Sequence, residues 1–122
     1  EKQMKIQLVK RGGMFAYLGT DNMLDVKKQI DAGDEKAKLI VEAMAYQIGK
    51  YIGAYAAVLD GDVDAILITG GLAYNDWFME MVEKKVRWIA PVHIFPGEDE
   101  MEGLVRGVLR VLTGEEKAKE YV

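Results

Sequence analysis

The sequence predicts an α/β fold with parallel strands flanked by helices, and three observations carry that prediction. From residue 34 onward the apolar residues fall in the order helix, strand, helix, strand, helix. The two strand segments, one opening at Ala65 and the other at Val92, are separated by one helix, the connection parallel strands use. Between the first strand and that helix stand two consecutive glycines, Gly70 and Gly71, in the stretch AILITGGLAYN from Ala65 to Asn75. A strand that ends in a glycine turn ahead of a helix lets backbone N–H groups approach an anionic ligand without side-chain obstruction. A phosphate or nucleotide is the first ligand to consider; a turn that only connects and packs an α/β unit is the alternative these residues leave open.

At 122 residues the chain suits a single domain or part of one, long enough for a core but short for a complete two-substrate enzyme. It opens on Glu1 rather than Met, as a processed product or a piece of a longer chain would. Half of its residues are apolar and its net charge is −4, which fits a soluble globular domain and argues against a surface that wraps a polyanion, so nucleic acid is not an expected partner. The absence of cysteine excludes a disulfide framework, a thiol nucleophile and a thiolate metal site, and is compatible with the cytoplasm. The opening EKQMKIQLVKRGG has no continuous apolar segment of the kind a signal peptide needs, and no later run is long enough to span a bilayer.

Residues 2 to 10 mix charge with Met4, Ile6, Leu8 and Val9, a pattern shared by a short helix and an extended segment, with helix preferred. Met14 to Leu18 is a short apolar run that reads as a buried strand or loop. Gly19-Thr20-Asp21-Asn22 is turn chemistry in which Thr20, Asp21 and Asn22 can each cap a short helix carrying Met23, Val26 and Ile30 on one face and stopping at Ala32-Gly33. Asp34 caps the longest helix, Glu35 to Leu59, whose apolar face runs through Ala37, Ile40, Val41, Met44, Ala45, Ile48, Ile52, Ala56 and Leu59. Gly49 and Gly53 each cost about 1 kcal/mol of helix propensity relative to alanine, and close approach of another element is the expected compensation. Tyr46, Tyr51 and Tyr55 read as packing at the core edge rather than as a ligand box.

Asp60-Gly61-Asp62-Val63-Asp64 resembles the start of a calcium loop, but the sixth and twelfth positions hold Ala65 and Gly71 instead of glycine and glutamate, so solvated turn carboxylates are expected. After the glycine turn, Tyr74 to Ile89 reads as a helix with Phe78, Met81, Val82, Val86 and Ile89 inward; Asn75 or Asp76 caps it or contacts a ligand, and Trp77 and Trp88 pack. Val92 to Phe95 is the second strand, and its His93, the single histidine, reads as an ordinary half-buried residue. Pro96-Gly97 turns the chain into Glu98-Asp99-Glu100. These acids either complement the dipole of the next helix or hold a magnesium ion. That helix puts Met101, Leu104, Val105, Val108, Leu109 and Leu112 on its inner side, and the tail from Gly114 is expected to form a short, exposed helix. Two short strands are too little sheet for these helices, so further strands are expected from upstream chain or a partner.

The segments GGMFAYLGT (Gly12 to Thr20), EAMAYQIGKYIGAYAAVL (Glu42 to Leu59), VDAILITGGLAYN (Val63 to Asn75) and APVHIFPGEDEMEGL (Ala90 to Leu104), in this order, resemble the C-terminal part of the butyrate kinases, within the acetate kinase family of actin-like, sugar-kinase-like ATPases. The resemblance implies a partial ribonuclease H-like (actin-like ATPase) domain, with residues 1–122 as the C-terminal portion of a two-domain acyl kinase whose N-terminal domain and upstream strands lie outside this sequence. It implies transfer of the γ-phosphoryl of ATP to a short-chain fatty acid, butyrate or a branched analogue, giving an acyl phosphate and ADP with the help of Mg²⁺. It also implies nucleotide contacts at Gly70, Gly71, Leu72, Ala73 and Asn75, and at Asp21 and Asn22 in the loop from Thr20 to Leu24, with Asp99 and Glu100 toward the metal. The loop departs from the family pattern: the usual Asn-Asp order appears as Asp21-Asn22, and an arginine often found two residues later is Leu24. The groups that bind the acyl substrate lie upstream in the family, so this chain alone is expected to be inactive as a kinase, and a homo-oligomer fits the family habit. A stand-alone nucleotide-binding or interaction module without catalysis is the alternative.

Overall fold

The computed structural model describes residues 4–5, 11–97 and 100–119, with only the backbone of residue 100. Its elements are α1 (Gly13–Leu18), α2 (Met23–Asp31), α3 (Glu35–Val58), β1 (Ile66–Gly70), a 3₁₀ turn (Gly71–Tyr74), α4 (Asp76–Val86), β2 (Val92–Pro96) and α5 (Glu100–Leu112). Strands β1 and β2 pair in parallel, with Ile66 opposite Val92, Ile68 opposite Ile94 and Gly70 opposite Pro96, and α4 forms the crossover between them.

The caps written in the sequence are made. Asp34 Oδ1 accepts from the backbone N–H groups of Lys36 (2.9 Å) and Ala37 (3.0 Å) and starts α3, while Asn22 Oδ1 accepts from the Leu24 N–H (2.9 Å) and starts α2. Lys36 Nζ donates to the Tyr17 carbonyl (2.6 Å), tying α1 to the first turn of α3. The main core lies where α2, α3 and α4 meet: Val26, Val41, Ala45, Phe78 and Val82 are buried in one cluster with Met23, Ala73 and Met79. A second cluster of Ile66, Val86 and Ala90 seats the sheet on α4.

Several expectations are corrected. Met14 to Leu18 is helical, not a buried strand or loop; α1 has no fully buried residue, and the Gly19 N–H returns to the Phe15 carbonyl (2.9 Å) to close it. Leu59 caps α3 and is exposed, and the helix after the glycines begins at Asp76 behind a separate 3₁₀ turn and ends at Val86. Tyr46, Tyr51 and Tyr55 stand outward rather than at the core edge, with Lys85 Nζ 5.8 Å above the Tyr46 ring. Trp88 is exposed, its Nε1–H donating to the Lys85 carbonyl, whereas Trp77 packs edge-on against Phe78. His93 is exposed on the open face of the sheet beside Leu67 and Phe95. The expected inner side of α5 is uncovered: Met101, Leu104, Val105, Val108, Leu109 and Leu112 are all exposed. Residues 115–119 form no helix; Glu116 folds back so that its carboxylate accepts from Arg110 Nε (3.1 Å). Of residues 2 to 10, Met4 and Lys5 are helical and the rest fall outside the described residues.

The two helix glycines differ. A Cβ at Gly49 would lie 2.9 Å from Lys85 Cβ on α4, whereas a Cβ at Gly53 would meet nothing within 4 Å. Close packing therefore accounts for Gly49 and not for Gly53. Gly53→Ala is expected to stabilise the chain by about 0.5–1 kcal/mol through helix propensity, while Gly49→Ala yields less or destabilises. Urea denaturation of both variants checks this; equal gains would show that the seam between α3 and α4 is loose at Gly49.

Candidate nucleotide site

The loop ahead of α2 and the turn after β1 meet at one end of the molecule. Asp21, Asn22, Met23 and Leu24 from the first, with Gly71, Leu72, Tyr74 and Asn75 from the second, line a cavity of about 350 Å³. Each wall is held from behind: Met23 and Val26 anchor the loop in the main core, and Ala73 anchors the turn in the same cluster.

Local hydrogen bonding decides what the side chains can offer. The Asn22 N–H donates to Thr20 Oγ1 (3.1 Å), and the Asn22 Oδ1 is used as the α2 cap, leaving its amide N–H groups for a ligand. Asn75 Nδ2 donates to the Leu72 carbonyl (3.1 Å), so this side chain closes the 3₁₀ turn instead of capping α4, and its amide oxygen is the remaining acceptor. Gly70, at φ +94°, ends β1 in a conformation that favours glycine. Its N–H donates to the Gly97 carbonyl (3.0 Å), and the Gly97 N–H returns to Gly70 (3.4 Å), so the turns after β1 and β2 are bonded to each other.

Of the residues expected to touch a nucleotide, the structure brings Asp21, Asn22, Gly71, Leu72 and Asn75 into one cavity. Gly70 stands behind the lining, and Ala73 is fully buried with its methyl in the core, so its side chain does not face the cavity. Asp99 lies outside the described residues, and Glu100 opens α5 with its side chain outside the description. Among the described residues no group of three or more His, Cys, Asp or Glu is placed to hold a metal ion. Met23, Leu24 and Tyr74 also line the cavity. For Tyr74 the sequence signal was its place inside the glycine turn itself.

Among the described residues the lining holds one carboxylate, Asp21, and no lysine or arginine. An anion placed there meets backbone N–H groups and amides but no cationic side chain, and Asp21 repels it. Sugar hydroxyls and base amino groups, which donate hydrogen bonds to a carboxylate, suit this wall better than phosphate oxygens do. A wider, mostly apolar cleft of about 620 Å³ continues from it, sharing Asp21, Met23 and Leu72 and adding Met14, Tyr17, Ile40, Ala43, Met44 and Gln47.

The α/β arrangement, with this turn at the end of parallel strands, shares its fold with part of an actin-like protein, the acetate kinase of Porphyromonas gingivalis (TM-score 0.77, 22% identity, covering 89% of this chain and 34% of that one). The chain belongs to the acetokinase family, whose model matches residues 1–92. Its relatives include the probable butyrate kinase 2 of Caldanaerobacter subterraneus subsp. tengcongensis, 53% identical over 98% of this chain. Butyrate kinase 2 of Clostridium acetobutylicum is 50% identical over 99% of it. The chain spans 34% of the length of each of these curated relatives.

Gly70→Ala is expected to destabilise the chain by about 1–3 kcal/mol, because the left-handed backbone is strained for an L residue even though a Cβ would meet nothing within 4 Å. A urea midpoint unchanged from wild type would mean that the turn is not held at that φ.

Proposed function

We propose that this chain supplies the nucleotide side of a butyrate kinase-like enzyme that transfers the γ-phosphoryl of ATP to a short-chain carboxylate, acting together with the remainder of an acetokinase-family polypeptide. The observation that carries this reading is the meeting of the Asp21–Leu24 loop and the Gly71–Asn75 turn in one cavity, in a chain about half identical to butyrate kinases. On this reading Asp21 accepts from the sugar or base, and the amide groups of Asn22 and Asn75 orient the nucleotide. The backbone at Gly71 and Leu72 comes close to it.

A bound Mg²⁺ supplies charge neutralisation during phosphoryl transfer. Among the described residues the lining has no cationic side chain, which supports a need for such a cation; Asp99 and Glu100 are the residues this reading assigns to it. The chain contributes no acyl-binding or phosphoryl-stabilising group to the proposal, so it is inactive alone. The uncovered faces of α5 and of the sheet, at Leu67 and Phe95, support a further portion of protein packed there, from the same enzyme or from a second copy. A cytoplasmic location fits an enzyme that draws on ATP, and no helix among the described residues is long and apolar enough to cross a membrane.

The test is reconstitution: this chain mixed with the upstream segment of a butyrate kinase, supplied with ATP, Mg²⁺ and butyrate, with acyl phosphate trapped by hydroxylamine. Product from the mixture and none from either part supports the reading. A soluble complex that binds ATP but forms no acyl phosphate supports a nucleotide-binding module without catalysis. In the active mixture Gly71→Val is expected to weaken ATP binding about tenfold or more, roughly 1.4 kcal/mol, by blocking the backbone approach, and an unchanged ATP affinity in the folded complex would refute that contact.

A further inference from the structure

We propose that Tyr74 is a positioning residue of the nucleotide site, a latch that holds the turn at Gly97 against the glycine turn. The inference rests on the nucleotide reading above. Tyr74 is 68% exposed, so burial alone does not account for where its ring lies. Its phenol end stands over Gly97: a Cβ built there would come 3.2 Å from the Tyr74 hydroxyl oxygen and 4.0 Å from Cζ. Gly97 is at φ +125°, a backbone conformation that side chains rarely adopt, and it carries the reciprocal hydrogen bonds to Gly70. The same Tyr74 lines the cavity with Asp21, Asn22 and Asn75. One side chain therefore borders the ligand cavity and also covers the point where the two strand ends are bonded.

The physical consequence is a coupling. With the ring in place, solvent is kept from the Gly70–Gly97 pair and the second turn is held at the distance those bonds set. With the ring removed, that pair lies at the exposed end of a two-stranded sheet and opens more often. The glycine turn that forms the cavity wall is then held less tightly on its β2 side, by backbone contacts alone.

The experiment uses the 122-residue chain. Amide exchange at Gly70 and Gly97 is followed by NMR, ADP affinity in the presence of Mg²⁺ by calorimetry, and global stability by urea denaturation, for wild type, Tyr74→Ala and Tyr74→Phe. Tyr74→Ala is expected to speed exchange at both glycines and to weaken ADP binding, each by about fivefold or more, with the urea midpoint unchanged. Tyr74→Phe keeps the ring and stays within about twofold of wild type. Wild-type exchange rates in Tyr74→Ala overturn the latch whatever the nucleotide does. Faster exchange with unchanged ADP affinity overturns the positioning role alone. If neither the wild-type chain nor its complex with the upstream segment binds ADP, the nucleotide reading falls and this role with it, while the exchange data still report the latch; where only the complex binds, the affinities are compared in the complex.

Discussion

The seam between α3 and α4 is the constraint on which the rest of the chain depends. Val41 and Ala45 on one helix and Phe78 and Val82 on the other are buried in a single cluster, and Gly49 lets the Lys85 stem approach as closely as a backbone permits. Fully burying a side chain such as Phe or Val contributes roughly 1.5–3 kcal/mol, so these few residues weigh heavily in a chain this small. Because α4 is also the crossover between β1 and β2, fixing it against α3 fixes the sheet. Because α2 reaches the same cluster through Val26, the loop ahead of α2 is fixed as well. The cavity between loop and turn is a consequence of that packing: two segments separated by about fifty residues of chain share a wall only because both are anchored in one core.

What the cavity can bind follows from what the core left at its rim. Among the described residues the lining side chains are amide or apolar, with one phenol, Tyr74, and one carboxylate, Asp21, and the hydrogen bonds already made by Asn22 and Asn75 leave each with fewer ways to turn. Such a wall orients a ligand more than it attracts a charge. Attraction of a polyphosphate would have to come from a metal ion or from cationic groups beyond these side chains, because none of the described residues lining the cavity is a lysine or arginine. This division of labour accounts for a site that is well positioned by its scaffold and electrostatically incomplete.

Elements whose cause is local were legible in the sequence. The Asp34 cap, the buried stripe of α3, the parallel strand pair and the glycine turn each follow from a few neighbouring residues, and each stands in the structure; for α2 the sequence offers Thr20, Asp21 and Asn22 alike, and the structure uses Asn22. Outcomes that depend on a distant neighbour were not legible. Ala73 lies in the turn stretch but faces the core because Phe78 and Met79 close over it from α4, and nothing in a one-dimensional pattern says so. Gly49 and Gly53 look alike in sequence, and only the position of Lys85 separates them. Met14 to Leu18 reads as apolar, yet six residues bounded by glycines form a helix that buries none of them fully, with only Met14 and Leu18 packed in part against the main core.

The amphipathic stripe of α5 carries the same lesson to its limit. Periodicity identifies the face that is unfavourable in water, and it identifies Met101, Leu104 and Val108 correctly as members of one face. It does not identify the surface that would cover them. In the described residues that surface is missing, just as it is for Leu67 and Phe95 on the open side of the sheet. Exposed apolar area on this scale is a free-energy cost that a short sheet cannot recover by itself. The seam between α3 and α4 can hold the half that carries the cavity together without that cover, because its own core is closed, whereas α5 has no such core among the described residues. The cavity walls and the C-terminal helix therefore differ in what holds them: the walls rest on contacts inside this chain, whereas the apolar face of the helix is uncovered among the described residues.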